Sequence, residues 1–353
     1  ARHVDPVELE PAVTTARSGP GGEVAALSVG ASYLGVFYNA SHLEMAGVEP
    51  PTSWDDPWSV SEFEDHARRL AISDENRVVR FGLAAVPSLT RPALADANGI
   101  GPNGAFFSPD HIRSTMQTET HARTLRRMSS WRTVSEFELG IAERSAAPFN
   151  GGLTALYIDS SDFTPLIRPV VRWGFAPLPS WSGGASLTEG TEFCVAVNAA
   201  SLDVESAWRL AQHFLEPDAQ RALARNDVAV PFRQPVLNDP AFRDPNRLPA
   251  DRSALRGAVA HDLRTPSNPG SKGWHALTQS PIEMVRSGAT DADIFLATAD
   301  ELITRQLTAY EWSIAKDVIG YRRPLSIGNV LLREFDERIE AESAASDESG
   351  PDR

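Results

Sequence analysis

The hydrophobic pattern of this chain is sharpest between positions 152 and 201. Two runs there, LTALYI and FCVAV, flank a shorter one, WGFAPL. Each is aliphatic or aromatic and bounded by Ser, Gly, Pro or Asp, the pattern of a buried strand. Polar residues follow at once: Asp159-Ser160-Ser161-Asp162-Phe163 after the first, Pro179-Ser180-Trp181 after the second. In open α/β sheets the positions just past strand ends are where ligands bind. Ordinary connecting loops would read the same way.

Elsewhere the pattern alternates between strand and helix. Val24 to Val29 and Leu34 to Tyr38 are strand-like, with Gly30-Ala31-Ser32-Tyr33 expected as a short loop between them. RFGLAAV at 80–86 is another buried strand, and the loop Pro87–Arg91 after it makes Arg91 a second candidate for contact with hydroxyls. Ser41 with Glu44 forms a capping box for a helix through Met45 that ends at Gly47. The same residues match an N-glycosylation sequon, Asn39-Ala40-Ser41, and the capping reading is preferred. Ser59 and Glu62 form a second box, before a helix whose Val60, Phe63, Ala67 and Leu70 share one face. Trp54 and Trp58 brace the loop before it.

A long polar helix is expected over 109–131, with Ile112, Met116, Leu125 and Met128 as its stripe. Ser201 is expected to cap a helix with Val204, Ala207, Trp208, Ala211 and Phe214-Leu215 on one side, Trp208 being core. Pro217 opens the next helix. Shorter helices are expected in 1–23 and 253–263, from Trp274, and from Asp291 to about Leu307. Residues 96–110 and 238–252 read as loops, and a Ser/Asp/Glu tail from about 341 reads as disordered.

Composition narrows the class. The chain has 353 residues, with 42% hydrophobic and 23% charged, enough for one large or two medium globular domains. No run of 18 apolar residues spans a membrane. A net charge of −14 argues against nucleic acid or an anionic membrane as partner. The single cysteine, Cys194, lies inside FCVAV and reads as a small buried hydrophobe, so there is no internal disulfide. Phosphate-binding, dinucleotide, zinc-protease and nucleophile-elbow motifs are absent, and the eight histidines are scattered singly. His261 and His275 read as surface or helix positions. No metal set or cofactor is expected. Carboxylates abound, and a pair such as Asp159 and Asp162 offers acid–base work on a glycoside, without any supporting nucleophile or metal.

The order of several loose motifs carries a resemblance. AxYIDxSxF, WGFAPLPxW and xxGTEFxVAVNAAS, followed by a helix ending in LEPDAQRALAR, resemble the extracellular solute-binding proteins of ATP-driven (ABC) importers, in the sugar-binding branch (family 1), over roughly Ala25 to Leu302. The resemblance implies an α/β, two-lobed periplasmic-binding-protein-like (type II) fold with a hinge. It places a partial first lobe at 1–34 and 195–240, a second lobe at 35–180 and 245–312, and leaves 313–353 as an extension. It implies a carbohydrate gripped between the lobes and a membrane permease that reads the closure. It also implies an extracellular or surface-anchored monomer on the periplasmic side. No basic, apolar leader or lipid-acceptor cysteine opens the chain, and about 100 residues of a standard first lobe are expected to be missing.

The resemblance also implies a site. The loop with Ser32 and Tyr33 faces ligand, and Tyr33 either stacks on a pyranose or packs at the hinge. Asp162, Glu192 and Arg233 hold hydroxyls, and Phe163, Phe193 and Trp181 cover sugar faces, with Gly190 opening the third motif. Two departures stand out. Phe163 replaces the usual Trp, with Ser161 where Gly is common, and Gly190-Thr191-Glu192-Phe193 replaces a Gly-Gly-Trp. Glu192 adds a charge suited to a hydroxyl-rich or cationic ligand. A glycan-acting hydrolase and a truncated lobe acting as an interaction module are the alternatives.

Overall fold

The hydrophobic segment from Val24 to Asn39 is one continuous strand. In the computed structural model the described residues are 17–18, 24–74, 77–99, 106–108, 113–140, 145–198, 200–263, 276–277 and 280–314. A short strand β1 (Arg17–Ser18) pairs antiparallel with β2, which runs unbroken over Val24–Asn39. The expected loop at 30–33 is thus corrected. Gly30 marks only a register shift, because the ladder to the neighbouring strand skips a residue between Ser28 and Gly30.

After β2 come α1 (Ala40–Ala46), α2 (Val60–Leu70), β3 (Ile72–Asp74) and β4 (Arg77–Ala85). The cap of α1 is Asn39, whose side chain accepts from the His42 amide, and not Ser41. Asn39 ends β2 in extended backbone, which puts its carboxamide oxygen over the open amides of the first turn. Gly47 ends α1 in the left-handed region as expected. At α2 the capping box forms in both directions. The Glu62 amide donates to the Ser59 hydroxyl at 3.2 Å, and the Ser59 amide to the Glu62 carboxylate at 2.8 Å. Val60, Phe63, Ala67 and Leu70 are buried. Burial of Val60, Phe63 and Leu70 stabilises by about 1.5–3 kcal/mol each.

The expected loop 87–91 is also corrected. Pro87–Leu89 form one 3₁₀ turn that continues into α3 (Thr90–Ala97). Next, α4 (Glu119–Thr133) starts at the Thr118 cap, so the helix begins later than expected, and Met116 is buried ahead of it. Then follow β5 (Glu138–Leu139), α5 (Ala147–Asn150), β6 (Thr154–Ser160), β7 (Trp173–Ala176) and β8 (Gly190–Val195). The helix α6 (Val204–His213) is capped by Asp203, not Ser201, because the Asp203 carboxylate receives the Ser206 amide at 2.9 Å. Pro217 opens α7 (Pro217–Arg225) as expected. The remaining elements are β9 (Val230–Pro231), α8 (Gln234–Leu237), α9 (Pro240–Arg243), α10 (Ser253–Gly257), α11 (Ser280–Arg286) and α12 (Ala292–Ile314). The helix in 1–23, Ile112, the helix start at Trp274 and the tail beyond 314 lie outside the described residues.

Among the described residues β2 is the centre of a sheet, hydrogen-bonded to β1, β6, β7, β8 and β9. The first half of β2 pairs antiparallel with β8 and, at Gly30 and Ala31, with β9. Its second half pairs with β6 on one edge and β7 on the other. Gly35 makes this possible. A Cβ there would meet the Phe175 ring at 2.1 Å, so only glycine lets β7 lie flat against β2. Phe37 is the hub of the core beneath, in ring contact with Phe163, Trp173 and Phe175.

Contacts divide the chain into two compact units: Ala1–Leu83 with Glu143–Asp262, and Ala84–Ala142 with Leu263–Arg353. These bounds differ from the lobe ranges read from the sequence. The first unit holds the β2-centred sheet and α6 to α10. The second holds α3, α4, α11 and α12, with Leu94, Leu125, Met128, Ile282, Phe295 and Leu302 in its core.

Candidate functional site

The β2–β8 ladder gathers five of the ten candidate residues, Ser32, Tyr33, Gly190, Glu192 and Phe193. Its register sets Tyr33 opposite Gly190, Ser32 opposite Thr191, Ala31 opposite Glu192 and Gly30 opposite Phe193. Ser32 and Tyr33 are strand positions at 1% exposure each, not a loop. The Tyr33 amide donates to the Ser161 hydroxyl at 3.1 Å. This brings the turn after β6, which carries Asp162 and Phe163 in a 3₁₀ helix over Ser161–Leu166, against the same part of β2.

Gly190 is the tightest point. Its amide donates to Asp262 Oδ1 at 2.6 Å. A Cβ on Gly190 would lie 2.7 Å from Tyr33 Cε1 and 3.0 Å from both Asp262 carboxylate oxygens. Tyr33, Gly190 and Asp262 therefore form one packed group. Asp262 has no motif to flag it. It stands 72 residues beyond its partner, so sequence reasoning missed it. Thr188 tightens the same corner, donating its amide to His261 O at 2.9 Å and its hydroxyl to Leu34 O at 2.7 Å.

Farther along β8, Glu192 is half-buried and accepts from the Ser28 hydroxyl at 2.7 Å. Phe193 is also half-buried. Cys194 is exposed, which corrects the expectation of a buried thiol. Its sulfur lies 3.5 Å from Ser28 Oγ and 3.9 Å from Glu192 Oε2, so it shares the polar, solvated face of the strand. An unbroken apolar run such as FCVAV signals burial, but it does not say whether a second layer covers both faces.

Of the other candidates, Asp162 and Phe163 lie in the turn against β2 and the rest are dispersed. Phe163 is fully buried, stacked on Tyr157 at 4.7 Å between centroids and edge-on to Phe37, so its ring is core. Asp162 and Trp181 are half-buried. Asp159 is buried in β6 and receives the Ser160 amide at 2.7 Å. Arg233 is buried just before α8, its Nε donating to the Leu215 carbonyl, which fixes the turn after β9. Arg91 is buried in the first turn of α3 and belongs to the second unit. Among the described residues no group of three or more His, Cys, Asp or Glu side chains is arranged to hold a metal. No described helix is long and apolar enough to cross a membrane.

Comparison with known proteins adds three findings. The sequence profile described as "Bacterial extracellular solute-binding protein" matches residues 7–250. No curated sequence matches the chain. The fold is shared with several solved structures at low identity. An ABC substrate-binding protein from Listeria monocytogenes, in complex with cycloalternan, aligns with TM-score 0.71 and 17% identity, over 86% of this chain and 76% of that one. The sugar-binding protein MalE from Xanthomonas citri aligns with TM-score 0.69 and 16% identity, over 90% and 79%. A cyclic alpha-maltosyl-1,6-maltose binding protein from Arthrobacter globiformis aligns with TM-score 0.66 and 18% identity, over 87% and 78%. The mixed α/β fold is that of the two-lobed periplasmic binding proteins.

Proposed function

Given that this chain belongs to the bacterial extracellular solute-binding protein family, we propose that its solute is a sugar or oligosaccharide, which it presents to the permease of an ABC importer. The family supports a receptor role, and the sugar-binding descriptions of similarly folded proteins support a saccharide. The observation that carries the reading is the gathering of Tyr33, Gly190, Glu192, Phe193 and Asp162 on and beside one ladder. On this reading the half-buried Asp162, Trp181, Glu192 and Phe193 touch the ligand, carboxylates taking hydroxyls and rings covering the apolar faces of the sugar. Ser32, Tyr33 and Gly190 back them. Phe163 shapes the turn from below, and Arg233 fixes the turn after β9.

The role is binding without catalysis. A glycosidase needs two carboxyls flanking one bond, and Asp159 is buried inside β6. The protein works outside the cytoplasm, at the cell surface or on the periplasmic side, as a monomer. Intrinsic tryptophan fluorescence titrated with linear and cyclic gluco-oligosaccharides tests the reading. A saturable change with at least one of them, and no released reducing sugar, is the expected result. No response to any saccharide, or steady release of reducing ends, overturns it.

A further inference from the structure

The first unit carries a cluster of positive charge that the solute reading does not use. Between α9 and α10 lies a hollow of about 250 Å³ whose wall includes Phe242, Arg243, Asp251, Arg252 and Arg256. Three arginines and one aspartate line it, on a chain of net charge −14, and of the arginines Arg252 is turned to a second carboxylate, Asp227. We propose that this hollow is an anion-binding site for a phosphate-type oxyanion, independent of the saccharide site.

The three arginines differ in how they are held. Arg252 is 6% exposed and held through its two terminal nitrogens, while its buried Nε has no hydrogen-bond partner. Its Nη1 donates to Asp227 at 2.8 Å and its Nη2 to Leu248 O at 3.1 Å, and its Cζ stands 5.4 Å from the Phe242 ring centroid. Asp227 is shared, since it also takes Arg247 Nη2 at 2.6 Å, so one carboxylate serves two guanidiniums. Arg256 donates Nη1 to the neutral Asn238 carboxamide at 3.1 Å, which places the fork without cancelling its charge. Arg243 is exposed at the end of α9. Among the described residues no carboxylate is ion-paired with Arg243 or Arg256. Asp251, the one acid on the wall, receives the Ser253 amide at 2.8 Å, which spreads part of its charge.

The ligand class follows from this arrangement. Planar guanidinium forks bind tetrahedral oxyanions through paired hydrogen bonds, and a recess concentrates their field. Small-molecule pockets run from about 300 to 1,000 Å³, so a hollow of about 250 Å³ suits a compact anion better than an oligosaccharide. Phosphate and a phosphate ester present the same chemistry, and the test separates them.

Isothermal titration of the full chain at low ionic strength, with inorganic phosphate in one arm and glycerol 2-phosphate in the other, reads the site. The wild-type chain is expected to bind at least one anion saturably, the tighter one naming the source. Arg243→Ala and Arg256→Ala are each expected to weaken binding about tenfold, whereas Arg209→Ala, on exposed α6, leaves it unchanged. Arg243→Gln guards against misfolding, because the exposed Arg243 side chain can change without disturbing the core, and circular dichroism checks each variant. Absence of saturable binding by the wild-type chain, or equal binding by the Arg243→Ala/Arg256→Ala double variant, overturns the site. The saccharide titration is unaffected either way, so the two readings fail separately.

Discussion

Gly190 shows how a residue with no side chain can fix a site. Its amide feeds Asp262, and its missing Cβ leaves room for the Tyr33 ring. Gly190→Ala is expected to force Tyr33 and Asp262 apart and to cost about 1–3 kcal/mol as overpacking, read as a lower urea midpoint. Saccharide affinity should fall with it. At Cys194 the expectation is chemical. One thiol per chain should react with a disulfide reagent in the native protein, because the side chain is exposed beside Ser28 and Glu192. Reaction only after denaturant would mean that this face of β8 is covered. Aromatic identity was legible at Phe163 and Phe193, but the role of each ring was not. Phe163 lies against Tyr157 and Phe37 while Phe193 is half-buried on β8, and that difference comes from neighbours distant in the chain.

At the scale of elements, local hydrogen-bond chemistry was readable where it closes on itself. The Ser59–Glu62 box is such a case, and Ser59→Ala is expected to cost about 1 kcal/mol, measured by thermal melting. The Ser59 amide, and then its hydroxyl, hold the Glu62 carboxyl below the usual glutamate range. A carboxyl lowered in the folded state stabilises at pH above its unfolded value of about 4.3 and loses that contribution as pH falls through the lower folded value. The gap between wild type and Ser59→Ala should therefore shrink below about pH 4. At α1 the same logic named Ser41, two residues late, because Asn39 competes for the cap and the end of β2 decides which one wins. The unbroken β2 was not legible either. Gly30 reads as a turn, yet here it accommodates a register shift and the close approach of Ala229.

At the scale of the molecule, the second unit is tied by a buried ionic knot that no spacing announced. Arg286, fully buried on α11, donates to Glu138 on β5, to Glu283 at 2.9 Å and to Ala85 O at 3.3 Å. Arg132 on α4 reaches Glu283 at 2.6 Å and Glu138 at 3.2 Å. Burial holds the Glu138 carboxyl above the usual glutamate range, although the guanidiniums of Arg286 and Arg132 pull it down. Arg286→Met removes one partner and leaves buried carboxylates short of charge, so a loss of about 3–5 kcal/mol is expected. Chemical denaturation of the full chain reads it. A loss under about 1 kcal/mol would mean that the knot is solvated or dispensable.

The sequence by itself determined the strand-and-helix order around 152–225, the α2 cap, the acidic character and the family resemblance that the profile match upholds. These depend on residues near one another in the chain, or on composition, and such information survives in one dimension. The tertiary structure alone decided that Tyr33 and Phe163 are buried, that Cys194 is exposed, that Asp262 completes the corner at Gly190, and that arginines separated in sequence share one hollow. The first three are questions of which distant segment covers a side chain, and the last of how two neighbouring short helices are set; hydrophobic periodicity records that a face is apolar without recording what packs against it.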